Sequence, residues 1–211
     1  MKTLKQFIKE NREPRDRTVA IILNNRKPPH LGHYNALLHA LVENDEVHVI
    51  ISPETQDKIT ADDTLKIWEQ FGRKHTTRLH PVIANEDHDR ITGEKILKGT
   101  FAQAKRILNR LNEETKYDNI SVKVYTDSDR RYRKLTERIQ ENQYENISDI
   151  LFSDLDVEHR LPRALKKYAE GTEVLTAAII QRAINEGDKD AFFDTLPNGV
   201  NKEHIWEIVS K

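Results

Sequence analysis

A chain of 211 residues, 36% hydrophobic and 33% charged, is long enough for one well-buried domain and too short for two independent ones. Seven Gly and seven Pro are too few for low complexity or disorder, and zero cysteines exclude a disulfide framework and a Cys-based zinc site. A formal net charge of -1 supplies no global field toward nucleic acid or a membrane surface, so neither is an expected partner and phosphate recognition has to be local.

Residues 1–17 read as a short amphipathic helix, with Leu4, Phe7 and Ile8 on one side, followed by a polar linker. Their charge throughout argues against a secretory leader, and no apolar run reaches the roughly 18 residues of a membrane span. Together with the absence of cysteine, this gives the expectation of a soluble cytoplasmic protein. Residues 18–211 form the expected single domain.

Thr18–Leu23 is a continuous apolar run, the pattern of a strand buried on both faces of a parallel sheet. Tyr34–Val42 has helical period, and Glu46–Ser52 is a second strand. Thr60 with Asp62 and Asp63 reads as an N-cap and acidic first turn, opening a helix through Trp68 and Phe71 that stops at Gly72. The spacing of those two aromatics assigns them to the core. Leu79–Ala84 is a third strand.

A polar loop containing Glu86, Asp87, His88 and Asp89 follows, read as solvated surface, and then a long helix near Lys95–Glu114. Ser121–Thr126 alternates as a strand, Asp129–Gln143 is a charged solvent-facing helix, and Ile150–Ser153 is a short fifth strand. Helices at Pro162–Ala169, about Glu173–Glu186 with a stop at Gly187, Lys189–Leu196 and onward from Lys202 complete the chain. Trp206 is placed as the anchor of the last of these. Strands alternating with helices imply an α/β, Rossmann-like, doubly wound parallel sheet of about five strands, with a helical portion from about residue 160.

The chemistry concentrates where the first strand ends. A buried strand runs into Asn24-Asn25-Arg26-Lys27-Pro28-Pro29-His30-Leu31-Gly32-His33 and then directly into a helix. In open α/β sheets ligands gather at the carboxyl ends of the strands, and the N–H groups of the helix start favour an anion. Gly32 permits close backbone approach, Pro28-Pro29 stiffens the entry, and Lys27 adds a cation. His30 and His33, three apart, fall on one side of a helical first turn, where two imidazoles can donate to phosphate oxygens. A zinc reading needs a third ligand, and His39 is more than a turn further on. No metal ligands are assigned.

This arrangement resembles the HxGH nucleotidyltransferase superfamily, which includes nicotinamide-mononucleotide and pantetheine-phosphate adenylyltransferases and the cytidylyltransferases. More narrowly it is similar to phage-encoded adenylyltransferase-like members, which implies a host cytoplasm. The likeness also covers Thr55-Gln56-Asp57, Ser128-Asp129-Arg130 and Glu186-Gly187-Asp188 through Phe192 to Leu196-Pro197.

The resemblance implies transfer of a nucleoside monophosphate, AMP from ATP in the first instance, to a phosphate-bearing acceptor such as nicotinamide mononucleotide, with Mg²⁺ as cofactor. His30, His33 and Lys27 are then the catalytic set. Asn24, Asn25, Pro29, Gly32, Asp129, Arg130, Thr176 and Gln181 line the nucleotide. Members often form oligomers, so a homo-oligomer is also expected.

Three departures stand out. The family's Gly-Arg-Phe is Asn24-Asn25-Arg26, and the Gly of Gly-Ser-Asp is Asp127. The C-terminal Ser/Thr-and-Arg signature falls either on Gly171-Thr172-Glu173-Val174, with Leu175 at the arginine position, or on Thr176 to Gln181, with Gln181 there. The spacing to Gly187-Asp188 favours the second. The arginine is absent in both, and Arg182 points about 100° away on an ideal helix. Arg130, Arg131 or Lys166 could replace its charge. A nucleotide-binding protein without turnover, and a structural, virion-associated protein, are the competing readings.

Overall fold

The computed structural model describes residues 16–24, 28–84, 99–114, 116–126, 144–154, 160–169 and 171–211. The N-terminal helix, the acidic loop around His88 and the charged helix of Asp129–Gln143 lie outside them.

Five strands form one all-parallel sheet: β1 (Asp16–Asn24), β2 (Glu46–Ile51), β3 (Leu79–Ile83), β4 (Asn119–Thr126) and β5 (Ile147–Asp154), in the order β3-β2-β1-β4-β5. β1 is central because it has apolar side chains for both faces. Ala20 and Ile22 enter one core with Leu37, Val47, Val49 and Trp68, while Val19, Ile21 and Leu23 enter the other with Ile50, Leu108 and Val122. The chain is thus α/β and doubly wound, as its sequence pattern implies. β1 also starts earlier than its apolar run, because Asp16 and Arg17, read as linker, pair with Asn119 and Ile120.

Helices cover both faces. α1 (Leu31–Glu43) and α2 (Ala61–Gly72) pack on the first core, and α3 (Thr100–Glu113) packs on the second. The predicted cap of α2 is a reciprocal box: Asp63 N–H donates to Thr60 Oγ1 at 3.1 Å, and Thr60 N–H donates to Asp63 Oδ2 at 3.2 Å.

The helical portion holds a 3-10 helix (Arg163–Tyr168), then α4 (Ala177–Asn185), α5 (Lys189–Phe193) and α6 (Lys202–Val209). Gly187, at φ 71°, follows α4 as expected, and Trp206 stacks 5.5 Å from Phe192. Three features differ from the sequence expectation, the smallest being that α5 ends at Phe193 rather than Leu196. The helix expected over 162–169 winds as a 3-10 helix over Arg163–Tyr168, and α4 begins at Ala177 rather than near Glu173. The shift of α4 arises because Val174 bridges antiparallel to Arg160, which holds that stretch extended until Thr176 caps the helix.

The amino edge of the sheet carries a cluster that the sequence did not single out. Glu46 lies between Arg17, His48 (Nε2 to Oε1, 2.7 Å), His80 (3.4 Å) and Arg110 (3.8 Å), and Arg17 also meets Glu114 at 2.5 Å. Burial, reinforced by the Arg110 and Arg17 cations, pushes His48 from 6.5 down to about 4. A histidine depressed in this way stays neutral when folded but takes up a proton when unfolded. Stability is therefore intact above pH 6.5 and falls as the pH drops from 6.5 toward 4. The slope approaches about 1.4 kcal/mol per pH unit, or about 3 kcal/mol across the window. Urea midpoints at neutral pH and near pH 4.5 should show the loss, and His48→Gln should flatten it; an unchanged slope in the variant would remove His48 as the cause.

Candidate functional site

Strand order reverses between β1 and β4, since the chain moves outward from β1 to β2 and β3 and then returns to the opposite side for β4 and β5. Ligands of open α/β sheets bind outside the carboxyl ends at such a switch point. The segments singled out in the sequence leave from the two flanking strands: the His30-Leu31-Gly32-His33 turn follows β1, and Asp129-Arg130 follows β4.

Local geometry at the turn is set by α1. His30 is its N-cap, with extended backbone at φ -137° and ψ -177°, rather than a residue of the first turn. Its Nδ1 accepts from Gly32 N–H at 3.1 Å, and His33 Nδ1 accepts from His30 N–H at 3.3 Å. This is a capping box built from two imidazoles. The rings meet edge-on with centroids 4.1 Å apart, so the expected pairing of the two histidines is present. With both Nδ1 atoms accepting, each neutral ring carries its proton on Nε2. Trp68 of α2 backs His33 with ring centroids 6.4 Å apart.

One expectation is corrected. The helix start does not hold open N–H groups for an anion, because Leu31 N–H donates to the Thr195 carbonyl at 2.8 Å and Gly32 N–H is taken by His30. Pro28, Pro29 and Gly32 are buried as well, and His30 and His33 are only 2% and 3% exposed. Thr195 was missed because a backbone carbonyl leaves no residue-type signal.

Thr176 caps α4, its Oγ1 accepting from Ile179 N–H at 3.4 Å. Gln181, expected at the signature arginine position, is buried; its Nε2 donates to the Asp57 carbonyl (3.4 Å) and to Asn185 Oδ1 (3.2 Å), while its Oε1 has no hydrogen-bond partner among the described residues. Asp57 and Lys58 form a tight turn at φ 47° and 69°, closed by paired bonds between Gln56 and Ile59. The loop after β2 and the signature helix are thereby joined. Arg182 donates to the Tyr168 carbonyl at 2.9 Å, where it steadies the end of the 3-10 helix. Asn24 closes β1 opposite Ile51. Its side chain lies outside the described residues, as do Asn25, Lys27, Asp129, Arg130 and Arg131. His39 is exposed and 3.7 Å from Glu43, away from the paired rings. No helix among the described residues is long and apolar enough to cross a membrane.

No protein-family model matches the chain, and no curated protein matches it. Among solved structures, the chain is similar to a NadR protein in complex with NR, at 14% identity and TM-score 0.48 over 68% of this chain and 39% of that one. Thermotoga maritima TmcAL bound with alpha-thio ATP matches at 12% and 0.42, over 91% of this chain and 55% of that one. A pantoate-beta-alanine ligase from Francisella tularensis, complexed with beta-gamma ATP and beta-alanine, matches at 14% and 0.36, over 89% and 72%. The chain thus spans 39% and 55% of the first two, and likeness at this level says nothing of what the chain does.

Proposed function

We propose that this chain is a nucleotidyltransferase that moves a nucleoside monophosphate, AMP from ATP in the first instance, to a phosphate-bearing acceptor. The observation that carries the reading is the His30–His33 pair, seated after the central strand at the switch point, with both Nδ1 atoms accepting and both ring protons on Nε2.

An acceptor phosphate, largely ionised at pH 7 because its second pKa is about 6, attacks the α-phosphorus without a general base. The bond from the α-phosphorus to the bridging oxygen breaks, and pyrophosphate leaves. The protein's task is positioning and charge stabilisation, with the two imidazole donors on phosphate oxygens and Lys27 adding charge. Mg²⁺, arriving with the triphosphate, would supply charge neutralisation there, and no residue of this chain is assigned to hold it. Nicotinamide mononucleotide is the first acceptor to try.

Pyrophosphate release from ATP and CTP with Mg²⁺, over a panel of phosphate acceptors, tests this. Release that depends on one acceptor identifies the substrate. No release across the panel sinks the reading.

A second reading, nucleotide binding without turnover, draws on a different observation. Gln181 brings no charge and commits its N–H groups to Asp57 and Asn185, and the helix start is already capped from within. Saturable ATP binding without turnover would favour it, and no ATP binding would leave only a structural role for the fold.

A further inference from the structure

A cleft of about 210 Å³ lies between the 3-10 helix and the extended segment that bridges Val174 to Arg160. Its apolar lining comes from Leu161 and Ala169, both buried. The polar lining includes Arg160, Lys166 and Thr172, all exposed. Thr172 Oγ1 accepts from Val174 N–H at 3.2 Å, which leaves the hydroxyl proton to donate into the cleft's polar set. Glu173 is the one carboxylate among the described lining residues.

Among the described residues no carboxylate lies within ion-pair distance of Arg160 or Lys166. The adjacent Lys167 differs, being held by Asp188 at 2.7 Å. Two cations unpaired among the described residues, with a hydroxyl donor around an apolar floor, match a phosphate group attached to a small organic body. The volume is below the roughly 300 Å³ at which pockets begin to take drug-sized ligands, so a whole nucleotide is too large.

We infer that this cleft is a binding site for the phosphate end of a small ligand, gripped by Arg160 and Lys166. Two ligands share that chemistry: a phosphate monoester, and the polyphosphate tail of a nucleotide whose base lies elsewhere. The inference goes beyond the nucleotidyl-transfer reading and does not depend on turnover.

The test is a calorimetric titration with three probes, inorganic phosphate, pyrophosphate and ribose 5-phosphate, using the full chain. Saturable binding with Kd in the millimolar range or below is expected for at least one probe, weakening steeply with added salt. The Arg160→Gln/Lys166→Gln double variant should lose about tenfold or more, and Glu173→Gln should tighten binding several-fold by removing the opposing charge. All three side chains are exposed, and circular dichroism of each variant is the check that it folds.

Pyrophosphate as the preferred probe assigns the cleft to a polyphosphate tail, and ribose 5-phosphate assigns it to a monoester. No saturable binding of any probe, or equal binding by the double variant, overturns the inference. Pyrophosphate release from ATP is assayed on the same full chain, which keeps the outcome of the probe titration separate from failure of the transfer reaction.

Discussion

Pyrophosphate release by a His33→Gln variant should fall about 10²- to 10³-fold, the usual cost of removing one donor aimed at developing charge, with little change in thermal stability. Glutamine is a normal partner at the third position of a capping box, so its carbonyl can still accept the His30 N–H. The imidazole Nε2–H has no counterpart at the same point. His33→Ala removes both functions and should also cost about 1 kcal/mol of stability. Turnover and melting temperature therefore separate the two roles. Unchanged turnover in His33→Gln would sink the phosphate role, and a matched loss of stability would make the residue a cap only.

Trp68→Ala should destabilise the fold by about 3–5 kcal/mol, measured as the shift in denaturant midpoint at constant slope. The indole is fully buried among the residues of the larger core and stands edge-on to both Phe71 (5.7 Å) and His33 (6.4 Å). Truncation would open a void directly behind the paired imidazoles, so turnover should suffer too. Trp68→Phe should be far milder, below about 1.5 kcal/mol, because a ring is retained. The buried Nε1–H has no hydrogen-bond partner among the described residues, so its removal forfeits no bond there. If phenylalanine proves as costly as alanine, the indole N–H must be bonded to ordered water, and the reading of this position would change.

The sheet was legible because its signal is local. Thr18–Leu23 has no polar face, so both of its faces had to be covered, and the five-strand parallel sheet with helices on each side follows. The Thr60 cap was readable for the same reason: donor and acceptor lie three residues apart. Features supplied from afar were not readable. Asp16 and Arg17 look like linker until Asn119 and Ile120 arrive beside them. Thr172 and Thr176 are both credible caps by residue type, and only the bridge from Val174 to Arg160 decides for Thr176. At the site, the proximity of His30 and His33 followed from their spacing, but the capping geometry and the carbonyl from Thr195 did not. The Glu46 cluster escaped because its members come from four separate elements and form no motif along the chain.

The bond from Leu31 N–H to the Thr195 carbonyl has a consequence for biosynthesis. On a ribosome adding about 5–20 residues per second, the β1–α1 unit emerges roughly 8–30 seconds before Thr195 does. Throughout that interval the amide of Leu31 lacks its native acceptor, and the nascent chain must leave it to water. The imidazole pair therefore takes its final setting only after the whole sheet has been translated. On the proposed nucleotidyl-transfer reading, a growing chain would not offer the finished motif to nucleotide, so ligand binding would stabilise the completed protein without trapping its precursors.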